Sequence, residues 1–207
     1  MKTEEYLKNK YGDKSPTTIV GMTRRSLYEL FAELGFKVGG EIGLFRGRNA
    51  KLMFNVIPGL KLYGVEPFAD QEYTTTDPKS LEHITNMKEQ VSRRLEKENV
   101  IIIDKFSEDA VKDVPYDSLD FVYIDGDHSY DYAMLDIILW ARRVRKGGIV
   151  SGHDYTIMKG RKKRDVDVKQ AVDDYVAVHN INPLYLTDNR CARTWGDRCA
   201  SWFFVKT

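Results

Sequence analysis

Val38-Gly39-Gly40-Glu41-Ile42-Gly43-Leu44-Phe45-Arg46-Gly47 is the stretch that decides how this chain is read. A short apolar strand ends in an acid, Glu41. Gly43 and Gly47 then bend the backbone into a tight turn, and a helical pattern runs from Arg48 to about Ile57. Strand, glycine turn and helix in this order build the first ligand-binding edge of a doubly wound sheet. Glycine takes positive φ and lets the backbone approach a ligand. The first turn of the new helix points unbonded N–H groups at the same place. A dinucleotide fingerprint requires G-x-G-x-x-G; the run Glu41-x-Gly43-x-x-x-Gly47 does not match it.

Working outward, residues 1–22 read as an N-terminal extension, a short helix at most and then a loop, and 23–207 as one domain. Thr23 caps a helix whose Leu27, Leu30, Phe31 and Leu34 fall at helical spacing, with Gly35 just past its end. The second strand, Lys61–Glu66, ends in an acid 19 residues beyond Gly47. An acid at that interval accepts hydrogen bonds from ribose hydroxyls in doubly wound nucleotide folds. Asp77-Pro78 opens a helix with Leu81, Ile84, Met87 or Lys88, Val91 and Leu95 on its buried stripe. Val100–Ile103 is a continuous apolar run, expected of a strand buried on both faces. Ser107 follows as a helix cap or as a ligand contact. Leu119–Asp125 is the fourth strand, followed by Gly126-Asp127-His128. A helix from Ser129 or Tyr130 to Val144 places Met134, Ile137, Ile138, Ala141 and Val144 inward, and Lys146-Gly147-Gly148 ends it. The fifth strand, Ile149–Gly152, runs into His153-Asp154-Tyr155. Strands alternating with helices in this way argue for a parallel sheet covered on both faces. The tail adds a helix from about Val168 to His179, with Val172, Tyr175, Val176 and His179 inward, and two closing strands near 184–186 and 201–205.

With 207 residues, 42% of them hydrophobic and 30% charged, the chain is long enough for one full core and polar enough for a globular domain. A net charge of +1 gives no overall field toward nucleic acid or membrane. No apolar run has the length of a membrane span, and the N-terminus lacks a signal-peptide core, so no membrane partner and a cytoplasmic setting are expected. In that setting Cys191 and Cys199 read as free thiols.

The acid two residues before the first glycine, with a second glycine four later, resembles motif I of the class I S-adenosylmethionine (SAM) methyltransferases. "FVYIDGDHSYD" (121–131) followed by "GGIVSGHDY" (147–155) is similar to the small-molecule O-methyltransferase group that contains macrocin O-methyltransferase-like and cephalosporin-hydroxylase-like proteins. The resemblance covers about residues 23–207. It implies an α/β, Rossmann-like, doubly wound seven-stranded mixed sheet in the order 3-2-1-4-5-7-6, with strand 7 antiparallel. The closing hairpin belongs to that family and not to the usual dinucleotide sheet. It further implies SAM as cofactor, Glu41 and Gly43 with Gly47 around its methionine part, Phe106 and Ser107 near its adenine, and Asp125 beside the site. A homodimer is common in the family. Metal-dependent relatives hold a divalent cation with an acid after the fourth strand and a pair after the fifth, which here are Asp125, His153 and Asp154. A histidine in that pair departs from the family's oxygen ligands and suits manganese, iron, zinc or nickel better than magnesium.

The residues themselves leave a second reading open. His128 and His153, each next to an acid, serve equally as general bases that take a proton from an acceptor hydroxyl, with Asp125 in the same catalytic group. The acceptor is then a small molecule, methylated on oxygen. The basic run Arg161-Lys162-Lys163-Arg164 and the arginines of 188–198 would grip an anionic acceptor or an RNA backbone, or are simply solvated. Three alternatives follow: an RNA methyltransferase, an RNA-binding protein, and a nicotinamide-dependent oxidoreductase.

Overall fold

Hydrogen bonding puts the strand that carries Glu41 at the middle of a twisted sheet. The computed structural model describes residues 2–68, 78–158, 166–188, 190 and 199–207, and, in the helix that starts at Pro78, side chains from residue 85 onward. In chain order the elements are α1 (Thr3–Tyr11), β1 (Thr17–Thr18), α2 (Arg24–Glu33), β2 (Val38–Ile42), α3 (Arg48–Val56), β3 (Lys61–Val65), α4 (Pro78–Leu95), β4 (Val100–Ile103) and a short α5 (Ser107–Ala110). A 3-10 turn, β5 (Leu119–Ile124), α6 (Tyr130–Ala141), β6 (Val144–Gly152), α7 (Val168–Val178), β7 (Tyr185–Leu186) and β8 (Trp202–Val205) complete it. The strand order is β4-β3-β2-β5-β6-β8-β7-β1. All pairings are parallel except those of β8 with β6 and β7. The expected order 3-2-1-4-5-7-6 is therefore present, closing antiparallel strand included, within an α/β doubly wound fold.

Among the described residues the sheet has eight strands, not seven. β7 would otherwise be an open edge. Thr17 and Ile19 cover it, donating to the carbonyls of Leu184 and Leu186 at 2.9 Å each. Helix α1 is also tied in, with Leu7 fully buried. Val100–Ile103 is not buried on both faces: among the described residues β4 is the opposite edge strand, and Ile101 is 42% exposed. The helix expected to reach Val144 stops at Ala141, and Lys146-Gly147-Gly148 lies inside β6, where the register against β5 shifts between Leu119 and Phe121. Its inner face carries Ala133, Asp136, Ile137, Trp140 and Ala141, while Ile138 is half-buried. His179 faces outward at the end of α7, stacked on Tyr175 with ring centroids 4.3 Å apart. Thr23 does cap α2, its hydroxyl accepting from Ser26 N at 3.2 Å. Met87, Val91 and Leu95 are buried, whereas Asp77 and the side chains of Leu81 and Ile84 fall outside what is described.

Two apolar layers sandwich the sheet. On one side α1 to α4 pack around Tyr28, Phe31, Phe36 and Phe121, with the Phe31 and Phe121 rings 4.5 Å apart. On the other, α5 to α7 pack around Val122, Ile137, Trp140 and Phe204. Each such side chain contributes about 1.5–3 kcal/mol by leaving water. The first glycine of the opening stretch serves this packing: a Cβ on Gly39 would lie 2.2 Å from the Phe121 ring.

Candidate functional site

The parallel strands β2 to β6 all end on one edge, and backbone hydrogen bonds lace those ends together. Gly43 N and Leu44 N donate to Val65 O, Glu66 N to Ile103 O, Asp125 N to Ile42 O, and His153 N to Ile124 O, at 2.7–3.2 Å. The tightest point is Gly43. Its φ is +89°, and a Cβ there would fall 2.0 Å from the carbonyl oxygen of Asp125. Backbone strain and a clash with main chain act together, so Gly43→Ala is expected to lower stability by about 2–4 kcal/mol, measured by urea unfolding; a loss below about 0.5 kcal/mol would show that the two strand ends are not locked in this way.

Glu41 projects from β2 and is 1% exposed. Its Oε1 accepts from Asn49 Nδ2 at 2.9 Å, and Asn49 Oδ1 accepts from Tyr28 Oη at 2.7 Å. Its second oxygen, Oε2, is buried and has no hydrogen-bond partner among the described residues. Burial pushes the carboxyl up to about 8; Asn49 and the charge of Arg24 pull it down, and Asp125 and Glu66 push it further up. Glu66, at the end of β3, is half-buried and accepts from Phe45 N at 2.7 Å. Burial raises its pKa against that hydrogen bond. Phe45 takes a left-handed φ of 46° and is 56% exposed at the mouth.

At the end of β4 the N-cap of α5 is Phe106, so Ser107 is the first helical residue and not the cap. Its hydroxyl donates to Asp136 Oδ1 and accepts from Trp140 Nε1 at 2.7 Å. Beside it an open crevice of about 460 Å³ is lined by Pro67, Asp104, Lys105 and Phe106, among others. A larger groove, about 610 Å³, lies between Pro16 and α7. It reaches the strand-end residues only through Tyr155, so the smaller crevice is the one that belongs to this site.

The ends of β5 and β6 bring Asp125, His128, His153 and Asp154 together. His128 Nε2 lies 3.0 Å from Asp154 Oδ2 and 3.4 Å from Asp125 Oδ1. His153 Nδ1 lies 3.2 Å from Asp154 Oδ1 and 3.9 Å from Asp125 Oδ1. One ligand atom from each of Asp125, His128 and Asp154 falls within 4.8 Å of the others, a spacing that a cation can bridge. His153 is 8% exposed, and its Nε2 is buried without a partner among the described residues. The hydrogen bonds that His128 donates to Asp125 and Asp154 push it up to about 10. Burial works against ionisation of Asp154, but His128 and His153 together hold it well below the usual carboxylate range.

All the strand-end residues singled out in the sequence therefore lie on one edge, but they form two groups: Glu41, Gly43, Gly47, Glu66, Phe106 and Ser107 along β2 to β4, and the histidine–aspartate cluster along β5 and β6. Sequence reasoning missed Asn49, Arg24, Asp136 and Trp140. Asp136 had a trace: an acid four residues before Trp140 on an otherwise apolar helix face. The basic run 161–164, Cys191 and most of the 188–198 loop lie outside the described residues. Among the described residues no helix is long and apolar enough to cross a membrane.

The family model described as a methyltransferase domain matches residues 41–155, more than half of the 207-residue chain. No curated protein matches the chain in sequence. Among solved structures, an O-methyltransferase from Bacillus cereus in complex with S-adenosylhomocysteine (SAH) is similar, with a TM-score of 0.59 at 15% identity over 98% of this chain and 96% of that one. The O-methyltransferase TomG from Streptomyces achromogenes, involved in tomaymycin synthesis and solved with SAM, gives 0.59 at 14% identity over 89% and 79%. An rRNA methylase from Streptococcus thermophilus gives 0.59 at 13% identity over 91% and 99%. At these identities the likeness is one of fold.

Proposed function

This chain belongs to the methyltransferase-domain family, and from that premise we propose that it transfers the methyl group of SAM to a hydroxyl of a small molecule, with a divalent cation on Asp125, His128 and Asp154. The observation that carries the cofactor half is Glu41. A carboxylate buried beside the Gly43 turn with one oxygen unpartnered is costly unless something fills the place. A cationic group with N–H donors, such as the ammonium of the methionine part, suits that oxygen. Glu66, with a single backbone donor on one oxygen, has acceptor capacity left for ribose hydroxyls. Phe106 lines the crevice that would take the base, and Ser107 follows it at the start of α5.

SAM brings an activated methyl on a sulfonium, so the chain has to align the acceptor and manage one proton. The histidine–aspartate cluster supports that task. A cation there would supply charge that lowers the pKa of a bound hydroxyl, and its mixed nitrogen and oxygen donors favour a transition metal over magnesium. Within the cluster, Asp154 orients both imidazoles, and in the metal-free protein the proton at His128 Nε2 is shared with two carboxylates; a cation held there would take that proton's place. His128 takes the histidine place in this ligand set, and His153 stands behind Asp154. Family membership sets aside the nicotinamide-dependent alternative. The RNA alternatives rest on residues 161–164, and nothing in the described residues favours them.

The test is calorimetric titration with SAH. Micromolar binding is expected, and Glu66→Ala should weaken it about 10–100-fold by removing the ribose acceptor. A folded protein that does not bind SAH would overturn the cofactor reading; a Glu66→Ala variant of normal affinity would overturn the ribose assignment alone.

A further inference from the structure

Asp173 and Asp174 are consecutive residues of α7, and each carboxylate is held in the same way. One oxygen is tied to the preceding turn of the helix: Asp173 Oδ2 accepts from Lys169 Nζ, and Asp174 Oδ1 from Gln170 Nε2 at 2.9 Å. The other oxygen receives a phenol from outside the helix. Tyr155 Oη donates to Asp173 Oδ1 at 2.5 Å, and Tyr130 Oη to Asp174 Oδ2 at 3.0 Å. These two tyrosines stand where the chain leaves the two loops of the histidine–aspartate cluster. Tyr155 follows Asp154 directly, and Tyr130 opens α6 two residues after His128. The start of α7 grips the same loops through main chain, Asp167 N donating to His128 O at 2.8 Å and Lys169 N to Thr156 O at 3.3 Å.

We propose that Asp173 and Asp174 are positioning residues for the cation site: with Tyr155 and Tyr130 they clamp the Asp154 loop and the His128 loop to one helix, and so set the spacing of the ligand atoms that the two loops contribute. This rests on the cation reading given above. His128 Nε2 and Asp154 Oδ2 lie 3.0 Å apart but come from different loops. The register of β5 against β6 brings those loops side by side and ends at Ile124 and Gly152, short of both residues. Asp154 also takes a left-handed φ of 51°, a conformation that its surroundings have to hold in place. Partners behind a metal's ligands orient them, and removing one typically costs about 10–100-fold in metal affinity. Both tyrosine rings pack against the second apolar layer as well. Exchange of tyrosine for phenylalanine therefore removes the clamp and leaves the packing.

Calorimetric titration of the whole chain with manganese and with zinc tests this. Tyr130→Phe and Tyr155→Phe are each expected to bind the cation about 10-fold more weakly than the wild type. Their SAH affinity should stay within about threefold, because Glu41 and Glu66 stand on other strand ends. Asp173→Asn and Asp174→Asn keep an amide oxygen that accepts from the phenol, so their cation affinity stays within about threefold of the wild type. Asp173→Leu and Asp174→Leu lose about 10-fold, and the phenylalanine variants decide the matter if the leucine variants do not fold. A merely structural role predicts weaker resistance to urea with cation affinity unchanged. That result in either phenylalanine variant, or an equal loss of cation and SAH affinity, overturns the proposal and leaves the cation reading standing. A folded wild type that binds neither manganese nor zinc overturns the proposal and the cation reading together, while SAH binding still decides the cofactor reading.

Discussion

Asp154→Asn is expected to lower methyl transfer to a hydroxyl acceptor by about 100-fold or more, and to leave SAH affinity within about threefold of the wild type. The two effects separate because Asp154 stands with the β5–β6 cluster, away from Glu41 and Glu66. Its backbone is left-handed, with φ 51°. Asparagine is the residue that best tolerates that conformation after glycine, so the variant keeps the turn and removes only the charge. What it loses is the carboxylate that meets His128 Nε2 at 3.0 Å and His153 Nδ1 at 3.2 Å. An amide in that place cannot serve both rings as an anion, and it is a poorer ligand for any divalent cation. Manganese binding, followed by calorimetry or paramagnetic relaxation, should weaken along with the rate. Activity near the wild-type level would show that the cluster is structural, and an equal loss of SAH affinity would place Asp154 on the cofactor instead.

What was legible in the sequence and what was not divides along a physical line. Strand ends were legible because turn chemistry marks them: Glu41 with Gly43, Glu66 before Pro67, and Asp125 and His153 after apolar runs all mark one edge of a parallel sheet. The sheet order followed from a family resemblance, since no local pattern orders strands. The eighth strand was not legible because Thr17 and Thr18 owe their extended pairing to the open edge of β7 and not to their own propensity. Val100–Ile103 misled for a related reason. Four aliphatic residues read as buried on both faces, but apolar sequence does not say whether a neighbouring strand exists. Asp136 left only the trace of an acid on an apolar helix face, where an acid is ordinarily solvated; the approach of Ser107 and Trp140 reveals it as buried. The partnership of His128 with Asp154 joins residues from two loops, and it required the register of β5 against β6.

Glu41→Gln should show the clearest separation of stability from function. SAH affinity is expected to fall about 10–100-fold, because the variant puts a neutral amide where a cationic group would be met by a carboxylate. The ligand-free protein should nevertheless become more stable at alkaline pH. Burial raises the Glu41 carboxyl from its ordinary value of 4.5 to about 8. Below the unfolded value both states carry the proton, and stability is fully present. As pH rises, the unfolded chain releases its proton first, and stability is lost progressively until the folded value is passed. The gap corresponds to roughly 5 kcal/mol at most, and structural relaxation should leave about 2–4 kcal/mol. Glutamine has the same shape, keeps a carbonyl oxygen for Asn49 Nδ2, and carries no charge to desolvate, so its stability should lack this fall, while the titration of His128 is common to both proteins. Urea unfolding of both proteins at pH 5 and pH 9 reads the difference directly. Parallel losses would mean that Glu41 is better solvated than its 1% exposure indicates. A diverging pair, together with weakened SAH binding, would mean that the chain keeps a carboxylate it could discard for stability, and that the unpartnered oxygen at the centre of the sheet edge is held ready for a ligand.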